Sequence, residues 1–257
     1  MVRKGMIVGC AAVALTFIMM GCGDKSNPVA VAGDEAVPTP AGSTVVMSEG
    51  FGGTLSPKWE DTYMVLVQDF YPQMRITTAA AHTGTHSITS DSNRTALVYK
   101  VIPPLEPTDA AAVHYIAGVQ FYIMASALGQ CNFSVQFGQD NGSSGGLGKG
   151  FGIGFDQSDS IKTMLYDTWG GLSPESDSML APIQLNHWYK CNIEIDLGTT
   201  WTATWKIDDV VVKSKPLPTQ EMSRIDRVLV FRGAEAGNMG TEGAKLCYAD
   251  DILLYKK

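Results

Sequence analysis

The sequence predicts an all-β protein built as a sandwich of two antiparallel sheets, and three observations support this. From about Thr44 onward, short runs rich in Val, Ile, Phe, Tyr and Thr alternate with clusters of Gly, Asp, Asn and Pro, which is the pattern of strands and turns. Several runs alternate apolar and polar residues with a period of two, so each strand has one apolar face. No segment has an amphipathic helical pattern of ordinary length. Strands of this kind bury their apolar faces by packing one sheet against another.

Alternating apolar residues predict the clearest strands, which fall at residues 112–125, 130–137, 151–155, 189–196 and 201–207. Asp208 and Asp209 are a turn signal, and residues 210–213 are predicted to return as a strand. Further strands are predicted at 228–231 and 246–255, and a single helical turn at 218–224. The glycine-rich segments 138–150 and 233–243 are predicted to be long loops, which tend to be functional or disordered.

The first residues have the pattern of an export signal. Arg3 and Lys4 precede an uncharged apolar run at 6–20, which is short for a membrane-spanning helix of about 20 residues. The run ends in Gly21-Cys22, and Met19 stands where a lipobox usually has Leu. This segment resembles the signal of bacterial lipoproteins, which implies cleavage before Cys22 and a lipid on its thiol. The alternative is an ordinary secretory signal.

This export signal divides the chain into three parts. Residues 1–21 are the predicted lipoprotein signal peptide, residues 22–44 a lipidated flexible tether rich in Gly and Pro, and residues 45–257 a single large β domain. Loss of Arg3 and Lys4 changes the net charge from −7 to −9. An acidic domain argues against nucleic acid and anionic membrane surfaces as partners. We therefore expect a bacterial cell-envelope protein, periplasmic or at the cell surface, held to the membrane through Cys22 alone.

After the predicted cleavage before Cys22, three other cysteines remain in the chain, namely Cys131, Cys191 and Cys247. Export permits disulfides, and an odd number leaves at least one cysteine unpaired within the chain. All three lie in apolar strand patterns, which favours small buried side chains over disulfides. Their pairing stays open.

Four segments, in order along the chain, resemble motifs of the concanavalin A-like lectin/glucanase jelly rolls, which include laminin G-like domains. Residues 48–60 are similar to the opening strand, and residues 81–88 to a turn of the form small, His, x, Gly, x, x, Ser, apolar. Residues 188–209 resemble a Trp-Tyr … apolar-Asp … apolar-Asp-Gly pattern, with Asp209 in place of glycine. Residues 248–254 resemble the last strand. The resemblance implies a jelly-roll sandwich over residues 45–257, a fold that carries many functions.

The same resemblance implies one structural calcium ion. Glu49 and Asp250 match the ligand positions, with Asp251 as the alternate, and backbone carbonyls of residues 82–87 complete the shell. Calcium prefers six to eight oxygen ligands, and adjacent acids in an apolar strand need a counter-charge. The alternative is that these acids face solvent or pair with Lys or Arg.

A sugar-binding face is the second predicted site. Aromatic rings stack on the C–H faces of sugars, and Asn, Asp and Glu bind the hydroxyl groups. The predicted ligand-binding residues are Tyr166, Asp167, Trp169, Asn192, Glu194 and Trp201. Because Trp and Tyr are mostly buried in proteins, packing is the alternative, and we expect Trp188 and Trp205 to pack in the core or at a sheet edge.

The sequence predicts no catalytic residues. Glu194-Ile195-Asp196 begins the Glu-x-Asp-x-x-Glu motif of retaining glucanases, but Thr199 replaces the second Glu, which removes the proton donor. A lyase would need a Tyr or His base beside Gln, Asn or Arg. We therefore expect a membrane-anchored module that recognises a polysaccharide or surface glycan without catalysis. The alternatives are a polysaccharide lyase or glycoside hydrolase with an atypical site, and a structural or adhesion lipoprotein with a protein partner.

Overall fold

A computed structural model describes residues 37–52, 59–61, 74–90, 96–106, 116–127, 133–140, 147–155, 160–168, 171–172, 181–198, 200–217, 224–232 and 247–257. The chain divides into two units, Met1–Ala30 and Val31–Lys257, and every described residue belongs to the second. The predicted signal peptide, Cys22 and the first part of the predicted tether therefore lie outside the described residues. Within these ranges, no helix is long and apolar enough to cross a membrane.

The described residues form sixteen strands, numbered in chain order. They are β1 (Thr44–Glu49), β2 (Trp59–Asp61), β3 (Met74–Thr77), β4 (Ser87–Ser90), β5 (Ala96–Leu105), β6 (Ile116–Ala125), β7 (Phe133–Asp140), β8 (Leu147–Phe155), β9 (Ser160–Thr168), β10 (Gly171–Leu172), β11 (Ala181–Pro182), β12 (Tyr189–Asp196), β13 (Trp201–Ile207), β14 (Val210–Leu217), β15 (Ile225–Arg232) and β16 (Cys247–Lys256).

The strands form two antiparallel sheets. Sheet A has the order β14-β13-β12-β6-β16-β4-β3, with β1 also paired to β16. Sheet B has the order β10-β9-β8-β7-β15-β5-β2, with β11 also paired to β9. The predicted fold class, an all-β jelly-roll sandwich of two antiparallel sheets, is confirmed.

The core is formed by the side chains that alternate along the strands and point between the sheets. Strand β13 shows this directly, because Trp201, Ala203, Trp205 and Ile207 are buried while the residues between them are partly exposed. The ring of Trp205 in sheet A meets that of Phe151 in sheet B, with centroids 5.9 Å apart. Burying a large apolar side chain contributes roughly 1.5–3 kcal/mol, so these positions hold the sheets together. The core packing expected for Trp205 is confirmed.

The alternate positions of each strand lie on the outer face of its sheet. On sheet A this outer face includes positions 118, 120 and 122 of β6, 190, 192 and 194 of β12, and 253 and 255 of β16. On sheet B it includes positions 134 and 136 of β7, 150, 152 and 154 of β8, and 227 and 229 of β15. The charged network around Glu194 lies on the outer face of sheet A, and the row of glycines in β8 lies on the outer face of sheet B.

The loop predicted at residues 138–150 is wrong at both ends. Strand β7 continues to Asp140 and β8 begins at Leu147, so three of the six glycines lie in strands, while residues 141–146 lie outside the described residues. The physical reason is the close approach of the two backbones: a Cβ on Gly138 would lie 2.2 Å from the carbonyl oxygen of Lys149. Glycine at this position serves strand pairing rather than a turn. The loop predicted at 233–243 and most of the helical turn predicted at 218–224 lie outside the described residues.

The cysteines behave differently from one another. Cys191 is free and buried in the core, and burial raises the pKa of its thiol well above the usual range. Cys247 is disulfide-bonded, so the interpretation of that residue as an unpaired buried side chain is wrong. Cys131 lies outside the described residues.

Candidate functional site

A bulge in the last strand buries two adjacent carboxylates. The ladder between β16 and β6 shifts register between Asp250 and Leu253, and Asp251 has a left-handed backbone with φ of 50°. Neither Asp250 nor Asp251 has any exposed surface. A non-glycine residue at positive φ is strained, so the surrounding contacts must hold it in place.

These contacts come from the turn that precedes β4, and we call His82, Thr83, Asp250 and Asp251 the aspartate clasp. Asp250 accepts hydrogen bonds from the backbone N–H groups of His82 and Asp251, both at 2.8 Å. Asp251 Oδ2 lies 2.6 Å from His82 Nδ1, and Asp251 Oδ1 accepts from Thr83 Oγ1 at 2.6 Å. Burial, together with the charge of Asp251, raises the pKa of Asp250 to about 7. The clasp thus joins the turn to the last strand.

Aromatic rings surround the histidine of the clasp. His82 stacks on Tyr122 with centroids 3.5 Å apart and planes 14° apart. Trp188 meets His82 edge-on at 5.8 Å and Tyr248 at 6.5 Å. Trp188 is half-buried and packs on this cluster outside the core. A buried carboxylate on one imidazole nitrogen fixes the orientation of the ring.

The side chains predicted to bind calcium are engaged with hydrogen-bond donors. Glu49 Oε2 lies 3.1 Å from Lys100 Nζ, and Glu49 Oε1 accepts from the backbone N–H of Phe51 at 3.1 Å. In the described part of the chain, no group of three or more His, Cys, Asp or Glu side chains is arranged to hold a metal ion. As arranged, side-chain oxygens of Glu49, Asp250 and Asp251 accept hydrogen bonds from donors of the protein itself. The calcium ion stays a prediction.

Glu194 is the centre of a charged network on the outer face of sheet A. Lys206 Nζ and Lys257 Nζ lie 2.5 and 2.9 Å from its carboxylate oxygens, and Tyr255 donates to it at 2.9 Å. Burial alone would raise the pKa of Glu194, but the hydrogen bonds from these three groups outweigh it and lower the pKa to about 2. Asn192 Nδ2 donates to the Tyr255 hydroxyl at 2.8 Å. Asn192 and Glu194 therefore belong to one polar cluster.

The other predicted ligand-binding residues lie elsewhere. Trp201 is buried in the core between the sheets. Tyr166 and Asp167 belong to β9 of sheet B, where their side chains are outside the description, and Trp169 lies outside the described residues. The structure thus brings Asn192 and Glu194 together but does not join them to Tyr166 and Asp167 on one face. Their contacts with a ligand stay predictions.

The outer face of sheet B has a row of glycines along β8. Gly150, Gly152 and Gly154 are directly opposite Gly138, Gln136 and Ser134 of β7. On the other side, Tyr166, Met164 and Lys162 of β9 are opposite the same three glycines. The row has no side chains of its own, and it lies between the side chains of β7 and β9. The three glycines are buried, as are Ser134, Gln136 and Met164 beside them. We call this the glycine groove.

Polar and aromatic groups lie beside the glycine groove on β7 and farther along the same face on β15 and β5, which follow β7 in sheet B. Gln136 Nε2 donates to Ser134 Oγ at 2.8 Å. The guanidinium carbon of Arg227 lies 4.7 Å from the centre of the Tyr99 ring, which is a cation–π contact. Sequence reasoning missed Gln136, Arg227 and Tyr99. The alternation of Gln136 with Phe133, Val135 and Phe137 was the available signal for its outward position.

Comparison with known proteins gives a structural likeness alone. No protein-family model matches the sequence, and no curated protein matches it. The globular domain of T. cruzi calreticulin is 12% identical with a TM-score of 0.54, covering 82% of this chain and 87% of that one. The Emp47p carbohydrate recognition domain is 10% identical with a TM-score of 0.50, covering 85% and 99%. The cellulose-induced protein Cip1 is 15% identical with a TM-score of 0.50, covering 81% and 96%.

These likenesses concern the fold. At such low identity they show the fold alone, a jelly-roll sandwich of two antiparallel sheets. The function must be argued from the residues of this chain.

Proposed function

We propose that this protein is a lipid-anchored, extracytoplasmic module that recognises a polysaccharide or surface glycan without catalysis. The observation that carries the proposal is the glycine groove on the outer face of sheet B. Glycine in the middle of a strand weakens it, and such positions often mark the close approach of a ligand or of another backbone. Three glycines on one face of β8 keep a strip of the sheet free of side chains.

The borders of the groove have the chemistry that sugars require. Ser134 and Gln136 would provide a hydroxyl and an amide for sugar hydroxyl groups, and both are buried before a ligand enters. Tyr99, on the strand two places beyond β7 in sheet B, provides an aromatic ring, and Tyr166 is opposite Gly150 at the far side of the groove. Sugar sites combine apolar surfaces with a few placed polar groups. The carbohydrate recognition domain among the structural neighbours is consistent with this proposal.

Positive charge beside the groove favours an acidic glycan. Arg227 lies farther along the same face on β15, and Lys162 is opposite Gly154 on β9. Arginine binds carboxylate and sulfate groups through two parallel hydrogen bonds. The full chain is acidic, with a net charge of −7. An anionic polysaccharide would therefore be repelled by most of the surface and attracted to the positive charges of Arg227 and Lys162.

The proposal of export and anchoring depends on the signal pattern and on one structural feature. Cys247 is disulfide-bonded, and disulfides persist in oxidising compartments outside the cytoplasm. A lipid on Cys22 would then hold the domain at the membrane through the tether.

The test is a glycan array that includes uronic acid polymers, probed with the chain carrying Cys22→Ser and with its Gly152→Ala variant. In that variant, the new methyl group would lie 3.0 Å from Gln136 Cγ, 3.2 Å from the carbonyl oxygen of Val135 and 3.5 Å from Met164 Cβ. Its neighbours must shift by a few tenths of an ångström to admit it, and it covers part of the glycine strip. Selective binding that weakens about tenfold in the variant, a loss of roughly 1.4 kcal/mol, supports the proposal. Equal binding by both proteins contradicts the groove, and no binding to any glycan by the folded protein favours a protein partner.

The contact between Arg227 and Tyr99 favours a second candidate, a polysaccharide lyase. A lyase abstracts the proton beside a carboxylate with a base such as tyrosine, while Arg or Gln neutralises the carboxylate. Arg227 lies within 4.7 Å of the Tyr99 ring, and Gln136 is diagonal to Arg227 across one ladder. Ultraviolet absorbance of an unsaturated uronate product, present with the original chain and lost with Tyr99→Phe, would establish this activity. Binding without product supports the non-catalytic proposal.

A further inference from the structure

Two amide side chains on the outer face of sheet A are buried with an atom that lacks a hydrogen-bond partner. Gln120 of β6 and Asn192 of β12 are directly opposite in the ladder, with 3% and 7% of their surfaces exposed. Gln120 Nε2 and Asn192 Oδ1 make no hydrogen bond. Such atoms are rare in native proteins because leaving them unpaired is costly, so each needs an explanation.

The neighbouring hydrogen bonds determine which atom of each amide is unpaired. The Tyr255 hydroxyl donates its proton to Glu194 Oε1 at 2.9 Å, so its oxygen is left to accept from Asn192 Nδ2 at 2.8 Å. The Asn192 amide must therefore turn its nitrogen toward Tyr255 and its oxygen away. The unpaired atoms are one acceptor, on Asn192, and one donor, on Gln120.

We propose that this donor and acceptor bind a hydroxyl group of a neutral polyol or sugar unit, at a second site separate from the glycine groove. The two atoms do not pair with each other as they are placed, and a hydroxyl satisfies both at once because it donates and accepts. A ligand carboxylate has no proton to donate to the Asn192 oxygen, so that acceptor would stay unpaired. A ligand ammonium has no acceptor for the Gln120 amino group, so that donor would stay unpaired. The site therefore selects uncharged ligands.

The charges beside the site agree with a neutral ligand. The carboxylate of Glu194 is matched by Lys206 and Lys257, at 2.5 and 2.9 Å, so its charge is already compensated. The Tyr255 ring covers Gly118, because a Cβ on that glycine would lie 2.2 Å from the ring. The site thus has an aromatic wall beside the two amides.

The segment that precedes β1 covers one side of this site. Val37 is buried against Leu253 and Tyr255, and Leu253 is opposite Gln120 in the ladder between β16 and β6. A turn closed by the bond from Ser43 N to Pro40 O, at 3.1 Å, leads from this contact into β1. Entry of a ligand requires Val37 to move, so weakening the Val37 contact should increase the apparent affinity.

The experiment is a nuclear magnetic resonance titration of the chain carrying Cys22→Ser with glycerol and with methyl glucoside. We expect the side-chain amide signals of Gln120 and Asn192 to shift, while that of the exposed Gln184 does not. The Val37→Ser variant should bind about fivefold tighter. Gln120→Met, which removes the donor and keeps the side-chain length, should abolish the shift at Asn192 and leave glycan-array binding at the glycine groove unchanged.

Two results would overturn the proposal. If neither amide signal moves more than that of Gln184 in the original chain and in Val37→Ser, no hydroxyl ligand enters. If a long-lived water near Gln120 persists at saturating glycerol, the two amides hold an ordered water only. Both results are independent of the effect of Gly152→Ala in the array experiment, because that substitution lies on the opposite sheet.

Discussion

His82 Nδ1 and Asp251 Oδ2 are 2.6 Å apart, although 169 positions separate the two residues in the chain. The contact joins the turn before β4 to the bulge of the last strand. It also gives two fully buried carboxylates a partner that is able to carry positive charge. The geometry of the turn and the left-handed backbone of Asp251 therefore depend on one imidazole.

We expect His82→Ala to destabilise the domain by about 3 kcal/mol, because it leaves Asp251 buried with only the Thr83 hydroxyl as a side-chain partner. The measurement is urea-induced unfolding at neutral pH. His86→Ala is the matched control, since His86 lies in the same turn and contacts only the neighbouring Thr85; its effect should stay within about 0.5 kcal/mol. Equal losses in the two variants would contradict a specific role for the clasp.

The raised pKa of Asp250 predicts how stability depends on pH. Its ordinary value is 3.8 and its value in the folded protein is about 7, so between these limits the folded state binds one proton more than the unfolded state. The free energy of unfolding should therefore fall as the pH rises from about 4 to 7, by at most about 4 kcal/mol. Chemical unfolding in chelator at several pH values measures this slope, and Asp250→Asn should flatten it.

Binding of the predicted calcium ion would have the opposite effect on how stability depends on pH at Asp250. A cation beside Asp250 favours the ionised carboxylate, so calcium should raise the thermal midpoint and remove the fall in stability toward neutral pH. The comparison is between saturating calcium and chelator, with Glu49→Gln as the variant that weakens the predicted site. No change on adding calcium at any pH would contradict an ion held by Glu49 and Asp250.

Glu194 should show the reverse dependence on pH. Its pKa falls from 4.5 to about 2 in the folded protein, so its contribution is present above about pH 4.5 and is lost as the pH falls toward 2. We expect Glu194→Gln to cost about 1–3 kcal/mol at pH 7 and progressively less below pH 4. Asp209→Asn is the control, because Asp209 is largely exposed in its pair with Lys190 and should contribute within about 0.5 kcal/mol. A cost for Glu194→Gln that does not change with pH would contradict the network.

The fold was predictable from the alternation of apolar and polar residues, because successive side chains of a strand point to opposite faces of the sheet and this pattern lies within each strand's own sequence. Residues 189–196 and 201–207 were predicted as strands with one apolar face, and β12 and β13 have the burial that this requires. The strand at 112–125 is described from Ile116 onward. Alternation failed at residues 138–150, because glycine there marks the close approach of β7 and β8, which is a contact between strands and has no local pattern.

The candidate sites were less predictable for the same reason. Asn192 and Glu194 were predicted to face outward on one strand, and that placement followed from alternation alone. The partners of Glu194 come from β13, β16 and the residue after it, and no spacing within β12 reveals them. Gln136, Tyr99 and Arg227 are brought to one face by the order of strands in sheet B, which depends on topology.

The cysteines give a prediction that depends on export. Cys247 is disulfide-bonded and Cys191 is free and buried, and Cys22 is predicted to carry lipid, so we expect Cys131 to be the partner of Cys247. Mass spectrometry of a digest without reductant should find the two peptides linked. Maleimide should label Cys191 only after unfolding, and reduction should lower stability by about 2–4 kcal/mol. Recovery of Cys131 and Cys247 as free thiols from the exported protein would contradict the pairing.

Neighbouring glycines of β8 should respond differently to the same substitution. A Cβ on Gly154 would lie 2.2 Å from the carbonyl oxygen of Phe133 and 2.5 Å from Ser134 Cβ, and the backbone cannot move away without breaking the ladder. A Cβ on Gly152 would meet Gln136 Cγ at 3.0 Å and the carbonyl oxygen of Val135 at 3.2 Å, and a shift of a few tenths of an ångström relieves both contacts. We expect Gly154→Ala to cost about 3 kcal/mol and Gly152→Ala less than about 1 kcal/mol.

Thermal unfolding of the two variants beside the original chain measures this difference. Because both changes add one methyl group to the same face of the same strand, helix or strand propensity cannot account for unequal effects. A large loss for Gly154→Ala with a small one for Gly152→Ala means that the first glycine is required by strand pairing. The second is then free to serve the groove, and its variant reports on binding without a change of fold. Equal losses would mean that β8 needs both glycines for packing, and the glycine groove would lose its main support as a binding site.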